Sequence, residues 1–320
     1  MTAIVEEASG SRGAPGTPGA PLTAARRGMR VGRRRALVGL AMASPAIVLI
    51  VAFFVVPLVM TFWISLHNWP LLGRHRFIGL DNYVRAVADP GFRTAMKFTL
   101  VYTVVITPVL FLIGLGMALL VRRKVRAARV FQSIYFMPVC IGLASGSFLW
   151  LYLGQSRIGP LFDLLRRAGV VPADGNIFAG TWGALLMVVG MVTWKVVGLQ
   201  MLLLLSGLQS IPDEVTEAAR IDGASRWQGF RYITLPLLRP TLALVLVFSV
   251  AGSLLAFDQF FIMTNGGPAN STITAVYAIY RTSFISFKLG YGAALSVFLM
   301  VVLAVVSAVQ MLLLRNTDHG

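Results

Sequence analysis

Apolar residues in this chain do not alternate with polar ones over most of its length. They gather in six long blocks at residues 37–63, 95–121, 132–153, 181–206, 241–263 and 290–314. A helix needs about 20 residues to cross the hydrocarbon core of a bilayer, and each block is long enough. Inside lipid the backbone must satisfy its own hydrogen bonds, and a helix does so within one segment. The pattern therefore predicts an all-α integral membrane protein with six transmembrane helices. Pro57, Pro108 and Pro138 fall within or near the blocks and predict kinks that neighbouring helices would accommodate.

The segments between the blocks differ in kind. Residues 1–36 are rich in Gly, Ala, Pro and Arg and lack apolar periodicity. They predict a disordered basic tail ahead of a six-span domain at 37–316. The cluster Arg26, Arg27, Arg30, Arg33, Arg34 and Arg35 is like the start of a signal peptide, but the block after it is too long for one and predicts an uncleaved first span. The loop 208–240, between the fourth and fifth blocks, is polar and carries helix signals. Ser210 suits a cap, Pro212 a first turn, and Asp213 and Glu214 the positive end of a helix dipole. Val215, Ala218, Ala219 and Asp222 share one narrow face of mostly small side chains. Gly223 suits the left-handed position that ends a helix, and a second short helix is expected over 225–233, stopped by Pro236 and Pro240. Small side chains admit a partner's backbone, and Glu217, Arg220 and Asp222 would set its register by charge. The competing reading is a helix resting on headgroups, which would carry bulkier apolar residues.

Composition supports the lipid reading. Hydrophobic residues make up 57% of the 320 and charged ones 12%, about half the charged share of a soluble domain. The net charge of +16 sits in short segments beside apolar blocks, which argues against a nucleic-acid surface. The tail cluster and the run Arg122, Arg123, Lys124, Arg126 and Arg129 adjoin span ends and place both termini in the cytoplasm, although the outside loop 66–94 is basic too. Cys140 is the single cysteine, so no internal disulfide forms. His67, His75 and His319 lack metal-ligand spacing with one another or with Cys140. No G-x-x-x-x-G-K-[ST] phosphate loop is present, so no catalytic, metal or cofactor site is expected on this chain.

The sequence EAARIDGAS, followed by RWQGFRYITLPLLRP, resembles the EAA loop of permease subunits of ATP-binding-cassette importers. Glu217, Ala218, Ala219, Asp222, Gly223 and Ala224 match it, as do Phe230, Leu235, Pro236 and Pro240. The resemblance implies a cytoplasmic coupling helix between the fourth and fifth spans that inserts into a groove on a separate ATPase. Its coupling residues would be Glu217, Ala218, Ala219, Arg220, Asp222, Gly223 and Ala224. FIGLDNYVRAVADPGF, LLLLSGLQSIP, MTNGGPANST and GYGAALS resemble permeases for carbohydrates, the maltose-like and glycerol-phosphate-like systems among them. The maltose subunit of that class has extra N-terminal spans and a large external insertion, which are not seen here, so maltose itself is not implied. The implied assembly sits in the bacterial plasma membrane. It contains a homologous second permease, two ATPase subunits holding ATP and magnesium, and an external solute-binding protein that meets the turn at Asn265–Pro268.

Charged and polar groups inside spans default to functional candidates because their burial is costly. Lys195, with Trp194 beside it, would line the translocation path or fasten one helix to another. Asp258, Gln259 and Phe260, between Phe257 and Phe261, suit either a sugar site, where aromatic faces cover C–H patches, or an ordinary interfacial belt. Straight helices would hold Asp258 and Lys195 at different depths, so they would pair only if the fifth span is broken. An ion-coupled secondary transporter is the alternative function; it predicts several buried acids, and Asp258 is the one candidate.

Overall fold

A computed structural model describes residues 38–122, 126–172 and 175–315. The expected tail at 1–36 lies outside the described residues, which begin in the first span at Val38. Among the described residues four helices are long and apolar enough to cross a membrane, and six spans result if each of two bent pairs counts as one. The expected all-α membrane fold is present, but two of its spans are not straight rods. The chain divides at Val59 into two units, 1–59 and 60–320.

Helix α1, Val38–Ser65, contains a π-turn at Val51–Val55 just ahead of Pro57, a local widening of the kind that bends helices. A two-residue hairpin follows, β1 (His67–Asn68) pairing antiparallel with β2 (Arg76–Phe77), His67 opposite Phe77. Helix α2, Asp81–Ala88, leads to α3, Pro90–Leu120. Asp89 caps α3, its carboxylate accepting from the backbone N–H of Gly91 at 2.8 Å and of Phe92 at 3.3 Å, so the helix starts more than a turn before the apolar block does. Pro108 stays inside α3 without breaking it.

The third block is where a proline does bend the chain. Helix α4, Arg126–Phe136, tightens into a 3₁₀ turn at Met137–Cys140 that contains Pro138, and α5, Leu143–Leu153, leaves at 97°. Gly198, in the fourth span, packs against this region; a Cβ there would overlap the Tyr135 carbonyl. Helix α6, Pro160–Arg167, lies in the loop that follows. Helix α7, Thr181–Gln209, is the fourth span and supplies much of the core, with Leu185, Val188, Met191, Met201 and Leu204 almost fully buried.

The fifth block, expected as one span over 241–263, is interrupted. Helix α8, Asp213–Ile221, and the short α9, Arg226–Gly229, precede it. The stretch from Arg226 continues through a π-turn to Leu237, bends by 69°, and becomes α10, Arg239–Leu254. Sixteen residues rise about 24 Å, short of the ~30 Å hydrocarbon core. The helical path stops at Leu255, Phe257 adopts φ −137° and ψ −65°, and α11, Asp258–Met263, begins a new helix. The freed Ala256 carbonyl accepts from Thr274 Oγ1 at 2.7 Å; such side-chain replacement is what lets a helix break inside protein at membrane depth. Helix α12, Ala275–Tyr280, capped by Thr274, and α13, Leu289–Arg315, complete the chain.

Polar pairs tie the second, fourth and fifth spans together. Gln200 Nε2 donates to Ser249 Oγ at 2.5 Å, and Ser253 Oγ donates to Thr103 Oγ1 at 3.0 Å. Interhelical bonds of this kind contribute about 0.6 kcal/mol each on average in a membrane, so they fix register more than they supply stability.

Candidate functional site

Two regions carry the predicted residues. The first is the loop around α8. Its N-terminus is set by Pro212, with Asp213 and Glu214 in the first turn beside the helix's positive end. Ser210 does not cap it. Ser210 instead closes α7, donating to the Gly207 carbonyl at 2.8 Å, because the chain has not yet turned out of that helix. The C-terminus follows the sequence reading: Gly223 has φ +82°, Asp222 N–H returns to the Ala218 carbonyl, and Ala224 N–H to the Ala219 carbonyl. Helix α9 opens on a capping box, in which Ser225 and Gln228 each accept from the other's backbone N–H at 3.3 and 2.8 Å. The second helical stretch does not stop at Pro236. That residue falls in a first turn, where its missing N–H costs nothing, and the halt comes one step later at the bend before Arg239 and Pro240.

No residue of α8 is buried. Glu217, Ala218 and Asp222 are exposed, as is Val215, while Ala219 and Ala224 are half-buried. Ile221 is 87% exposed, and Trp227 and Tyr232 also point to solvent; these bulky groups were not singled out from the sequence, where they lie off the small-residue face. Among the described residues the ion pairs are those of Asp163 with Arg166 and Arg167, and Glu217, Arg220 and Asp222 have no ionic partner there.

The second region is a cavity of about 260 Å³ within the helices, with Tyr102, Lys195, Ser249, Ser253 and Gln259 among its walls. Lys195 stands at the midpoint of α7, fourteen residues from each end. Its amino group donates to the Ile141 carbonyl at 2.6 Å and the Val139 carbonyl at 3.3 Å. These are carbonyls set free where the third span turns from α4 into α5, so Lys195 both lines the cavity and fastens the bend. The fastening role expected from the sequence is thus present, and the same side chain stands on a cavity wall.

The other predicted residues separate. Gln259 is buried and lines the cavity, its Oε1 without a hydrogen-bond partner. Asp258, one position earlier, is half-buried and makes no ion pair; breaking the fifth span brings Gln259, not Asp258, to the cavity that Lys195 lines. Phe260 is fully buried between Phe98 and Tyr102, edge-to-face at 5.3 and 4.9 Å, and is core rather than wall. Trp194 turns toward Trp150 and α5, ring centroids 6.2 Å apart, away from the cavity. Phe257 and Phe261 stack on each other and pack on Tyr277 and Tyr280, a separate aromatic cluster. Tyr102, Ser249 and Ser253 were missed; Ser249 and Ser253, four apart in an apolar block, share a helix face and were the available signal.

Comparison with known proteins bears on both regions. The family described as "Binding-protein-dependent transport system inner membrane component" matches residues 110–319, which include the α8 loop and the third to sixth spans. The chain belongs to this family. It is therefore a multi-pass membrane permease of a transport system. A probable ABC transporter permease of Pyrococcus horikoshii is 33% identical over 82% of this permease and 90% of its own length. The sn-glycerol-3-phosphate transport system permease protein of Agrobacterium fabrum is 33% identical over 87% and 94%. The multiple sugar-binding transport system permease protein of Streptococcus mutans is 31% identical over 85% and 93%. In fold, the permease is similar to a chain of a bacterial alginate ABC transporter crystallised with its alginate-bound periplasmic protein, with TM-score 0.77, 22% identity, and coverage of 89% of this chain and 96% of that one.

Proposed function

We propose that this permease imports a sugar or related polyol in a bacterial plasma membrane, with both termini cytoplasmic. In this reading residues 1–36 form a tail and 37–316 the six-span domain. Relatives named for glycerol phosphate and for multiple sugars support the substrate class. The observation that carries the mechanism is the α8 loop. It presents Glu217 and Asp222 without ionic partners among the described residues and Ile221 bare on a helix ended by Gly223, the form expected of a knob seated in another protein. That protein is one of two ATPase subunits that hold ATP and magnesium. A homologous permease completes the membrane pore, and an external solute-binding protein delivers substrate near the Asn265–Pro268 turn.

The cavity lined by Lys195, Gln259 and Ser249 forms part of the substrate path. At about 260 Å³ it falls below the ~300–1,000 Å³ of ligand pockets, as one wall of a site shared between two permeases would. ATPase closure moves α8, and the cavity's access changes because α8 and α9 lead directly into the bent fifth span. Family membership favours this reading over an ion-coupled carrier. Co-purification with the ATPase subunits and uptake of labelled sugar test it. Glu217→Lys is expected to abolish uptake and ATPase retention together; uptake at the original rate would sink the coupling assignment.

A further inference from the structure

The side of α8 that faces away from Glu217 and Ile221 meets a second cleft, of about 230 Å³. Thr216, Ala219 and Arg220, at i, i+3 and i+4, give one wall. Arg122, at the end of the second span, and Arg226, at the start of α9, give others. Three arginines thus converge, no acidic residue lines the cleft, and none of the three has an ionic partner among the described residues. Arg220 and Arg226 are exposed and Arg122 is half-buried, and a cleft lined by one sign of charge concentrates counter-ions. Thr216 Oγ1 is buried and has no hydrogen-bond partner, an orphan that natural folds leave for a ligand or water. Leu119 and Phe230 add an apolar edge to the same cleft.

We propose that this cleft binds the phosphate of an anionic phospholipid of the cytoplasmic leaflet. The arginines hold the phosphate oxygens, Thr216 Oγ1 donates to one of them, and the glycerol and upper acyl chain lie along Leu119 and Phe230. The position decides between lipid and free anion. Leu119 belongs to the last turn of a span, where headgroups begin, and basic pockets between helices at that level recognise anionic lipid heads. The apolar edge would be idle under free phosphate. A bound lipid would hold α8 against the second span, making coupling sensitive to the leaflet's charge. The inference rests on the cytoplasmic placement proposed above.

The test uses the full chain, delipidated in detergent, titrated with phosphatidylglycerol, phosphatidylcholine or inorganic phosphate, and read by native mass spectrometry as the occupancy of the tightest lipid. Phosphatidylglycerol should bind in preference to phosphatidylcholine. Each arginine near a charged leaflet is worth roughly a fivefold factor, so Arg122→Gln should weaken it about fivefold and Arg122→Gln with Arg226→Gln about 25-fold. Arg122→Lys should restore most of the binding. Thr216→Val, nearly isosteric, should weaken it without altering charge. Equal occupancy in wild type and variants, or no preference over phosphatidylcholine, overturns the proposal. Displacement of the lipid by millimolar inorganic phosphate would make this a free-anion site and overturn the lipid assignment. No ATPase or uptake step enters the readout, so a failure here is separable from a failure of the transport reading.

Discussion

Lys195→Met separates the two jobs that the mid-membrane lysine performs. In the wild type its amino group reaches the Ile141 carbonyl at 2.6 Å and the Val139 carbonyl at 3.3 Å. Interhelical hydrogen bonds in membranes average about 0.6 kcal/mol and reach about 1.7, so losing one short and one long bond costs about 1–2 kcal/mol. Against this, a lysine at the centre of a span costs about 2.5–3.5 kcal/mol to insert, which methionine recovers. Global stability is therefore expected to hold or rise slightly, while the bend at Met137–Cys140 loses its fastening. The bend has its own reporter: the Ile141 N–H donates to the Pro138 carbonyl at 3.1 Å. Its hydrogen exchange, read by peptide mass, should quicken about 5–30-fold, the factor equivalent to 1–2 kcal/mol of local opening. Lys195→Arg, which keeps donors in place, should show a smaller rise. Unchanged exchange at Ile141 together with a stability loss above about 2 kcal/mol would refute the reasoning, because the lysine would then be holding the bundle and not the bend.

Phe260→Ala should cost about 3–5 kcal/mol, the usual loss for a fully buried phenylalanine, measured by thermal unfolding in detergent, with the substrate KM unchanged; a KM shift without loss of stability would return Phe260 to the path. At Gly223 an added Cβ meets no atom within 4 Å, so Gly223→Ala carries only the left-handed backbone penalty of about 1–2 kcal/mol; it should lower uptake per ATP hydrolysed while leaving the unfolding of the spans in place. For Asp89, burial raises the carboxyl's pKa, but the Tyr291 hydroxyl, the Phe92 and Gly91 N–H groups and Arg85 outweigh it, and the net shift is below the ordinary 3.8. A depressed carboxylate contributes stability above its unfolded pKa and loses it as pH falls through the folded one. Thermal stability should thus drop below about pH 4 less steeply in Asp89→Asn than in wild type, and Asp89→Ala should cost about 1 kcal/mol at neutral pH through loss of the cap.

Local chemistry was legible in the sequence and long-range geometry was not. Gly223, the helix start at Ser225, and the acidic first turn of α8 act on backbone groups within four residues, so their signals survive in one dimension. Breaks in the spans obey no such rule. Hydropathy reports that residues 241–263 suit lipid and is blind to direction, and nothing at 255–257 is a proline or glycine. The interruption there depends on Thr274, eighteen residues away, taking over the Ala256 carbonyl. Of three prolines flagged as kinks, Pro108 is carried inside a continuous α3, whereas Pro138 sits at a 97° turn.

The difference between those two prolines is where function enters. A proline inside one helix frees a single carbonyl, and packing absorbs it. At the Pro138 turn the backbone leaves the helical path altogether, and the freed carbonyls need donors that only another helix supplies. Lys195 is that donor, and its placement at the exact midpoint of α7 would be wasted on a bend that never moved, since a neutral side chain and a straight third span would be cheaper to insert. An ionisable residue at that depth is by default a functional candidate. On the transport reading proposed above, the third span, bent beside the cavity and bonded there by Lys195, is the element whose change of angle would open and close the path.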